Sequence, residues 1–137
     1  MKYSLIKNYK YRVEETEFFK TGIYGHYYDG KYFKLDTDGV IVIRPGYCWD
    51  GASGPTWDSK SSMRASLIHD VLYQLMRIGV LDAKIHKNTA DLILYKICVE
   101  DGMWEWRANL WYAALTKFGW GASKLTDEPE VKILVAP

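Results

Sequence analysis

The sequence predicts an α+β fold, an N-terminal antiparallel β-meander packed beside about three helices. Three observations carry that reading. Residues 1–46 are dense in Tyr, Phe, Val and Ile and are punctuated by two Asp-Gly pairs. Residues 62–120 switch to apolar positions spaced three and four apart. Between them, residues 47–61 hold Gly51, Gly54 and Pro55 without periodicity, as a glycine-rich loop does. With a tail at 121–137 these parts read as a single domain over 1–137, because a chain this short buries one core and has little left for a second.

The strands come first. Residues 9–13 and 17–24 are rich in Tyr, Phe and Val. Asp29-Gly30 and Asp38-Gly39 then separate β-prone runs, and Asp-Gly favours the positive φ angles of tight hairpin turns. Tyr24–Tyr28, Lys31–Leu35 and Val40–Ile43 therefore read as the meander, which Arg44-Pro45-Gly46 ends. The helices follow. Met63, Leu67, Val71 and the Leu72/Leu75 pair fall on one side of a helix that begins near Ser62, is capped by Ser61 or Ser62, and stops near Gly79. A second helix fits Lys87 to Glu100, with Ile93, Leu94 and Ile97 as its stripe and Gly102 beyond its end. A third fits Trp104 to Phe118. Its Trp and Leu residues occur almost all round, which calls for burial or for a partner. Val131–Val135 reads as a returning strand.

Composition narrows the function. Hydrophobic residues at 48%, charged at 26% and aromatic at 15% describe a packed globular chain. Eighteen Lys and Arg against 17 Asp and Glu give a net charge of +1, too little to hold a phosphate backbone, so nucleic acid is not the expected partner. The longest apolar run, Leu110–Leu115, falls far short of a transmembrane segment, and Met1–Arg12 lacks the apolar stretch of a signal peptide. Cytoplasmic synthesis without secretion by its own signal is expected, and Cys48 and Cys98 are read as two reduced, buried thiols. His26 and His86 read as surface residues. With the cysteines and His69 they show no zinc-ligand spacing.

The chemistry concentrates at Asp50, His69, Asp70 and Asp91. Neighbouring helix residues point about 100° apart, and Ile68, Val71 and Leu72 surround the His69-Asp70 pair. One of the two therefore faces inward and needs a partner. Two antiparallel helices would bring Asp91 alongside His69. A carboxylate on one imidazole nitrogen fixes the tautomer and leaves the other as a base. Asp70, on the adjacent face, would meet Asp50 and the carbonyls of the loop from Gly51 to Gly54, a hard-oxygen set that suits Ca²⁺. A base beside a cation makes a water-activating ester hydrolase. The same residues also admit a blander assignment: a satisfied internal histidine that sets helix register, with Asp50 closing an Asx turn. A third is a hydrolase or lyase that uses His69 without metal.

Two resemblances bear on the choice. Asp50-Gly51-Ala52-Ser53, then Ala65-Ser66-Leu67-Ile68-His69-Asp70-Val71-Leu72-Tyr73, then Lys87 and Asp91, resembles the core of the small microbial phospholipases of the A-two class. That resemblance implies a Ca²⁺ cofactor held by Asp50, the carbonyl of Gly51 and Asp70. It implies His69 as base, Asp91 as its orienter, Tyr73 as support, and a lipid or acyl substrate. The two cysteines of the family pattern are Ala52 and Ser66 here; they pair in the secreted enzymes, and their joint loss is what a reducing compartment permits. Over about Tyr32 to Gly121, the Pro45-Gly46-Tyr47, Asp50-Gly51-Ala52-Ser53-x-Pro55 and His69-Asp70-x-Leu72-Tyr73 motifs are also similar to a phage- and prophage-encoded domain of unknown function. This second resemblance implies a bacteriophage protein in the host cytoplasm or in the virion. The expected function is a phospholipase-like, calcium-dependent hydrolase of an ester or acyl bond. The alternative is a non-catalytic virion component or host-interaction protein that docks a phage structural or host protein through the Trp104–Trp120 helix.

Overall fold

The computed structural model describes residues 1–6, 10–51, 59–118 and 120–123. They form antiparallel strands in two sheets, followed by helices, so the fold is α+β. They fall into two compact units, the first ending at Asp50 and the second beginning at Gly51.

The first unit holds β1 (Tyr3–Ile6), β2 (Lys10–Val13), β3 (Glu17–Lys20), β4 (Tyr28–Asp29), β5 (Phe33–Leu35), β6 (Val40–Ile43) and β7 (Cys48–Trp49). One sheet has the order β1-β2-β7 and the other β3-β6-β5-β4. The expected meander is the β4-β5-β6 part of the second sheet, but its first strand is only Tyr28–Asp29 and not Tyr24–Tyr28; in it Phe33 faces Ile43 and Leu35 faces Ile41. All four of these side chains are fully buried, as the period of two requires. The two Asp-Gly turns differ. Gly39 has φ 83° and closes the turn between β5 and β6, where an added Cβ would lie 3.2 Å from the Ile23 carbonyl oxygen. Gly30 is not among the positive-φ glycines; its N–H instead bonds the Phe33 carbonyl at 3.0 Å. Two strands were not expected. β1 leaves alternate residues only half-buried, which weakens its pattern. The two-residue β7 sits inside what reads as loop; it joins β2 through Tyr11–Trp49 and Arg12–Cys48, with Trp49 also against the Tyr3 ring.

The second unit holds α1 (Lys60–Arg77), α2 (Ala83–Glu100), α3 (Glu105–Phe118) and the single turn α4 (Trp120–Ser123). Helix α1 starts earlier than its apolar pattern, with Ser59 as N-cap. The Ser62 hydroxyl accepts the Ser59 N–H at 2.8 Å, so Ser62 serves the cap from inside the helix rather than standing at its start. The expected stripe is buried: Met63, Leu67, Val71, Leu72 and Leu75 are at most 3% exposed. Each contributes roughly 1.5–3 kcal/mol relative to exposure. Helix α2 also begins earlier, at Ala83, because the Asp82 side chain accepts the Lys84 N–H at 2.9 Å and caps it. Ile93, Leu94 and Ile97 form its buried stripe.

Helices α1 and α2 run antiparallel. Arg64 near the start of α1 reaches Glu100 and Asp101 at the end of α2, with nitrogen–oxygen distances of 2.9 Å to each. Helix α3 folds back along α2 in turn: Tyr95 donates to Glu105 at 3.0 Å and Tyr112 to Asn88 at 2.9 Å. On α3, whose apolar residues called for burial or for a partner, burial is only partial. Trp111 is 2% exposed, while Trp106 and Leu110 are 57% and 49% exposed, beside Trp104 at 73%. Among the described residues no helix is long and apolar enough to cross a membrane. Ala52 to Thr56 of the expected glycine-rich loop and the expected strand at Val131–Val135 lie outside the described residues.

Candidate active site on the first two helices

The antiparallel packing of α1 and α2 decides which side chains meet. His69 and Tyr73 are four apart on α1 and so share a face, with ring centroids 4.0 Å from one another. Asp91 comes up opposite them from α2. Its Oδ1 lies 2.7 Å from His69 Nε2 and accepts the Tyr73 hydroxyl at 2.6 Å. Lys87, one turn earlier on α2, donates from Nζ to Asp91 Oδ2 at 2.7 Å and to the Leu115 carbonyl of α3 at 2.8 Å. The Trp120 ring lies over the same ammonium, 5.0 Å from Nζ to its centroid.

These groups are largely buried, His69 the least so. Asp91 is 1% exposed, Lys87 2%, Tyr73 3% and His69 8%. Burial alone acts to raise the Asp91 pKa, but the hydrogen bonds from His69, Lys87 and Tyr73 outweigh it and hold the carboxyl below its ordinary value. Burial, and then the adjacent carboxylate, push the Tyr73 hydroxyl far above its ordinary value, so that it stays a donor. An ionised Asp91 can only accept, so a neutral His69 carries its proton on Nε2. The lone pair is then on Nδ1, to which no described residue is bonded.

Of the sequence-predicted residues, the structure joins His69, Tyr73 and Asp91 in one network. It also separates the surroundings of the adjacent pair. His69 faces inward, whereas Asp70, about 100° further round α1, is half-buried. Asp50 is exposed at the end of the first unit, and Gly51, which opens the second, has φ 85°. The donor atoms of Asp50, Gly51 and Asp70 are all oxygen, the ligand type that Ca²⁺ takes. Among the described residues no group of three or more His, Cys, Asp or Glu side chains is placed to hold a metal ion. Cys48 and Cys98 are free and buried, as expected.

Sequence reasoning assigned no role to two charged residues, although Lys87 stands in the phospholipase-like pattern. Lys87 read as the first polar residue of a helix, although its i to i+4 spacing to Asp91 was a usable signal. Arg107 gave none; it is 8% exposed and donates to the Ser59 hydroxyl at 3.1 Å, tying the start of α3 to that of α1.

A family model described as a protein of unknown function, DUF1353, matches residues 28–115, a span that includes His69, Tyr73, Lys87, Asp91 and Leu115. No curated protein and no solved structure matches the chain.

Proposed function

The chain belongs to the DUF1353 family of proteins of unknown function, so its activity has to come from its own residues, and we propose that it is a hydrolase of an ester or related acyl bond. One observation carries the reading: the buried 2.7 Å bond between His69 Nε2 and Asp91 Oδ1, which leaves Nδ1 as the base. In this reaction Nδ1 takes a proton from water as the water oxygen attacks the carbonyl carbon. Asp91 then faces an imidazolium and stabilises it, while Tyr73 keeps the carboxylate in place. The imidazolium returns its proton to the departing alkoxide. The phospholipase-like motifs make the carbonyl of Gly51 and Asp70, both in the second unit, oxygen donors that would hold Ca²⁺, whose charge would polarise an ester carbonyl. The phospholipase-like motifs favour a lipid or acyl substrate. The test is product release from a panel of chromogenic acyl esters and phospholipid vesicles in the presence of Ca²⁺. Turnover should fall by roughly 10²–10⁴-fold in His69→Ala with unchanged circular dichroism. Absence of hydrolysis across the panel removes the proposal.

A second reading has its own support. Asp91 already receives donors from His69, Tyr73 and Lys87, all of them buried, which is what a network that only sets helix register requires. On that reading the chain is a non-catalytic virion or host-interaction protein, and exposed Trp104 and Trp106 are its docking residues. It should neither hydrolyse the panel nor respond to calcium. A metal-free hydrolase would do the first without the second. Phage or prophage origin, with residence in the host cytoplasm or the virion, rests on the Asp-Gly-Ala-Ser-x-Pro and His-Asp-x-Leu-Tyr motifs. Phage genes flanking the coding sequence are the outcome that supports it.

A further inference from the structure

We propose that Lys87 is the positioning residue of this site: it fixes the Asp91 carboxylate so that Oδ1 is presented to His69, and it anchors that carboxylate to the end of α3. The inference rests on the hydrolase reading only for its catalytic consequence; the positioning itself is tested without turnover.

Lys87 is 2% exposed, an unusual position for a lysine. Its ammonium donates to Asp91 Oδ2 at 2.7 Å and to the Leu115 carbonyl at 2.8 Å, and lies 5.0 Å from the centroid of the Trp120 ring. Leu115 is among the last four residues of α3, whose carbonyls have no partner within the helix. A cation is favoured there by the helix dipole as well. Lys87 is thus held from α3 and hands that fixed position to α2. A carboxylate turns about its last side-chain bond unless both oxygens are engaged. With Oδ2 claimed by Lys87, Oδ1 is the oxygen that meets His69 Nε2 and the Tyr73 hydroxyl. Stability alone is a poor reason for the pair, since a buried ion pair is often no more stable than apolar residues of the same volume. A defined direction for Oδ1 is what an apolar pair would not supply.

The readout is the proton on His69 Nε2, observed by NMR in the ¹⁵N-labelled full chain. In the wild type it should appear as a downfield, exchange-protected resonance. In Lys87→Met it should vanish or move upfield while the helical circular dichroism is kept. Where Lys87→Met fails to fold, Lys87→Gln keeps a donor of shorter reach, and its resonance should lie upfield of the wild type. An unchanged resonance in the folded variant overturns the proposal. Turnover separates this outcome from the fate of the hydrolase reading. If the panel is hydrolysed, the Lys87 variant should lose about tenfold or more in kcat with KM retained, and wild-type kcat in that variant also overturns the positioning role. If nothing is hydrolysed but the resonance is lost, the hydrolase reading falls and the positioning of Asp91 by Lys87 stands.

Discussion

Replacing Asp91 by Asn tests the heart of the network. The substitution keeps shape and one acceptor oxygen but removes the charge on which three donors converge. Lys87 would then be an ammonium buried to 2% exposure with only the Leu115 carbonyl and the Trp120 face. Breaking a buried pair by removing one partner costs about 3–5 kcal/mol, because the other charge is left uncompensated. The amide oxygen still receives a bond, which puts the expectation near 3 kcal/mol. The Asp29–Arg44 pair is the internal control. Its oxygen–nitrogen distance is 3.1 Å, but its side chains are 49% and 35% exposed, so Asp29→Asn should cost at most about 1 kcal/mol. Urea unfolding followed by far-ultraviolet circular dichroism measures both. Adding Lys87→Met to Asp91→Asn removes the stranded ammonium, and the double variant should be less unstable than the two single losses summed, by about 1–3 kcal/mol. Equal costs for Asp91→Asn and Asp29→Asn would show that the carboxylate is not buried against Lys87, and the account of the site would fail with it.

Three further outcomes follow from the same structure. The Asp91 carboxyl is held below its ordinary value in the folded chain, so the unfolded chain binds a proton first as pH falls; its contribution is complete above about pH 5 and is lost below that, as pH drops through the folded pKa. Asp91→Asn should therefore flatten the acid limb of a stability-against-pH curve, and an identical limb would contradict it. Calcium should raise the melting temperature of the wild type, by about 2.7 kcal/mol of stability at a hundredfold excess over Kd; Asp70→Asn should abolish the rise, and a wild type indifferent to calcium removes the cation from the proposal. Burial pushes the Cys98 thiol from 9.0 up to about 12, so its contribution is complete below pH 9 and lost as pH climbs toward 12. Cys98→Ala should make the alkaline limb shallower, and native Cys98 should resist thiol reagents.

The sequence made the His69–Asp91 pair legible because two amphipathic stripes, Met63 to Leu75 and Ile93 to Ile97, orient their helices before any contact is known. Once both stripes face one core, an antiparallel return places 69 opposite 91, and Tyr73 follows from its position one turn after His69. The starts of the helices were not legible in this way. Residues 83–88 on α2 carry Lys84, His86, Lys87 and Asn88, so apolar periodicity begins after the helix does, and only the Asp82 cap marks the true start. On α1 the same displacement moved the cap from Ser61 or Ser62 to Ser59.

Lys87 escaped for a deeper reason. A lysine in the first turns of a helix is ordinarily a solvated residue, and its partners come from two different distances along the chain. Asp91 is four residues away, but Leu115 offers a main-chain carbonyl that no side-chain pattern announces. The short strand β7 escaped for a related reason, since two residues are too few to show a period and its pairing depends on β2, more than thirty residues earlier. Local periodicity reports which face of an element is buried. It does not report which main-chain groups at the element ends remain in need of a partner. In this chain a helix end of that kind is where the lysine holding the candidate active site is anchored.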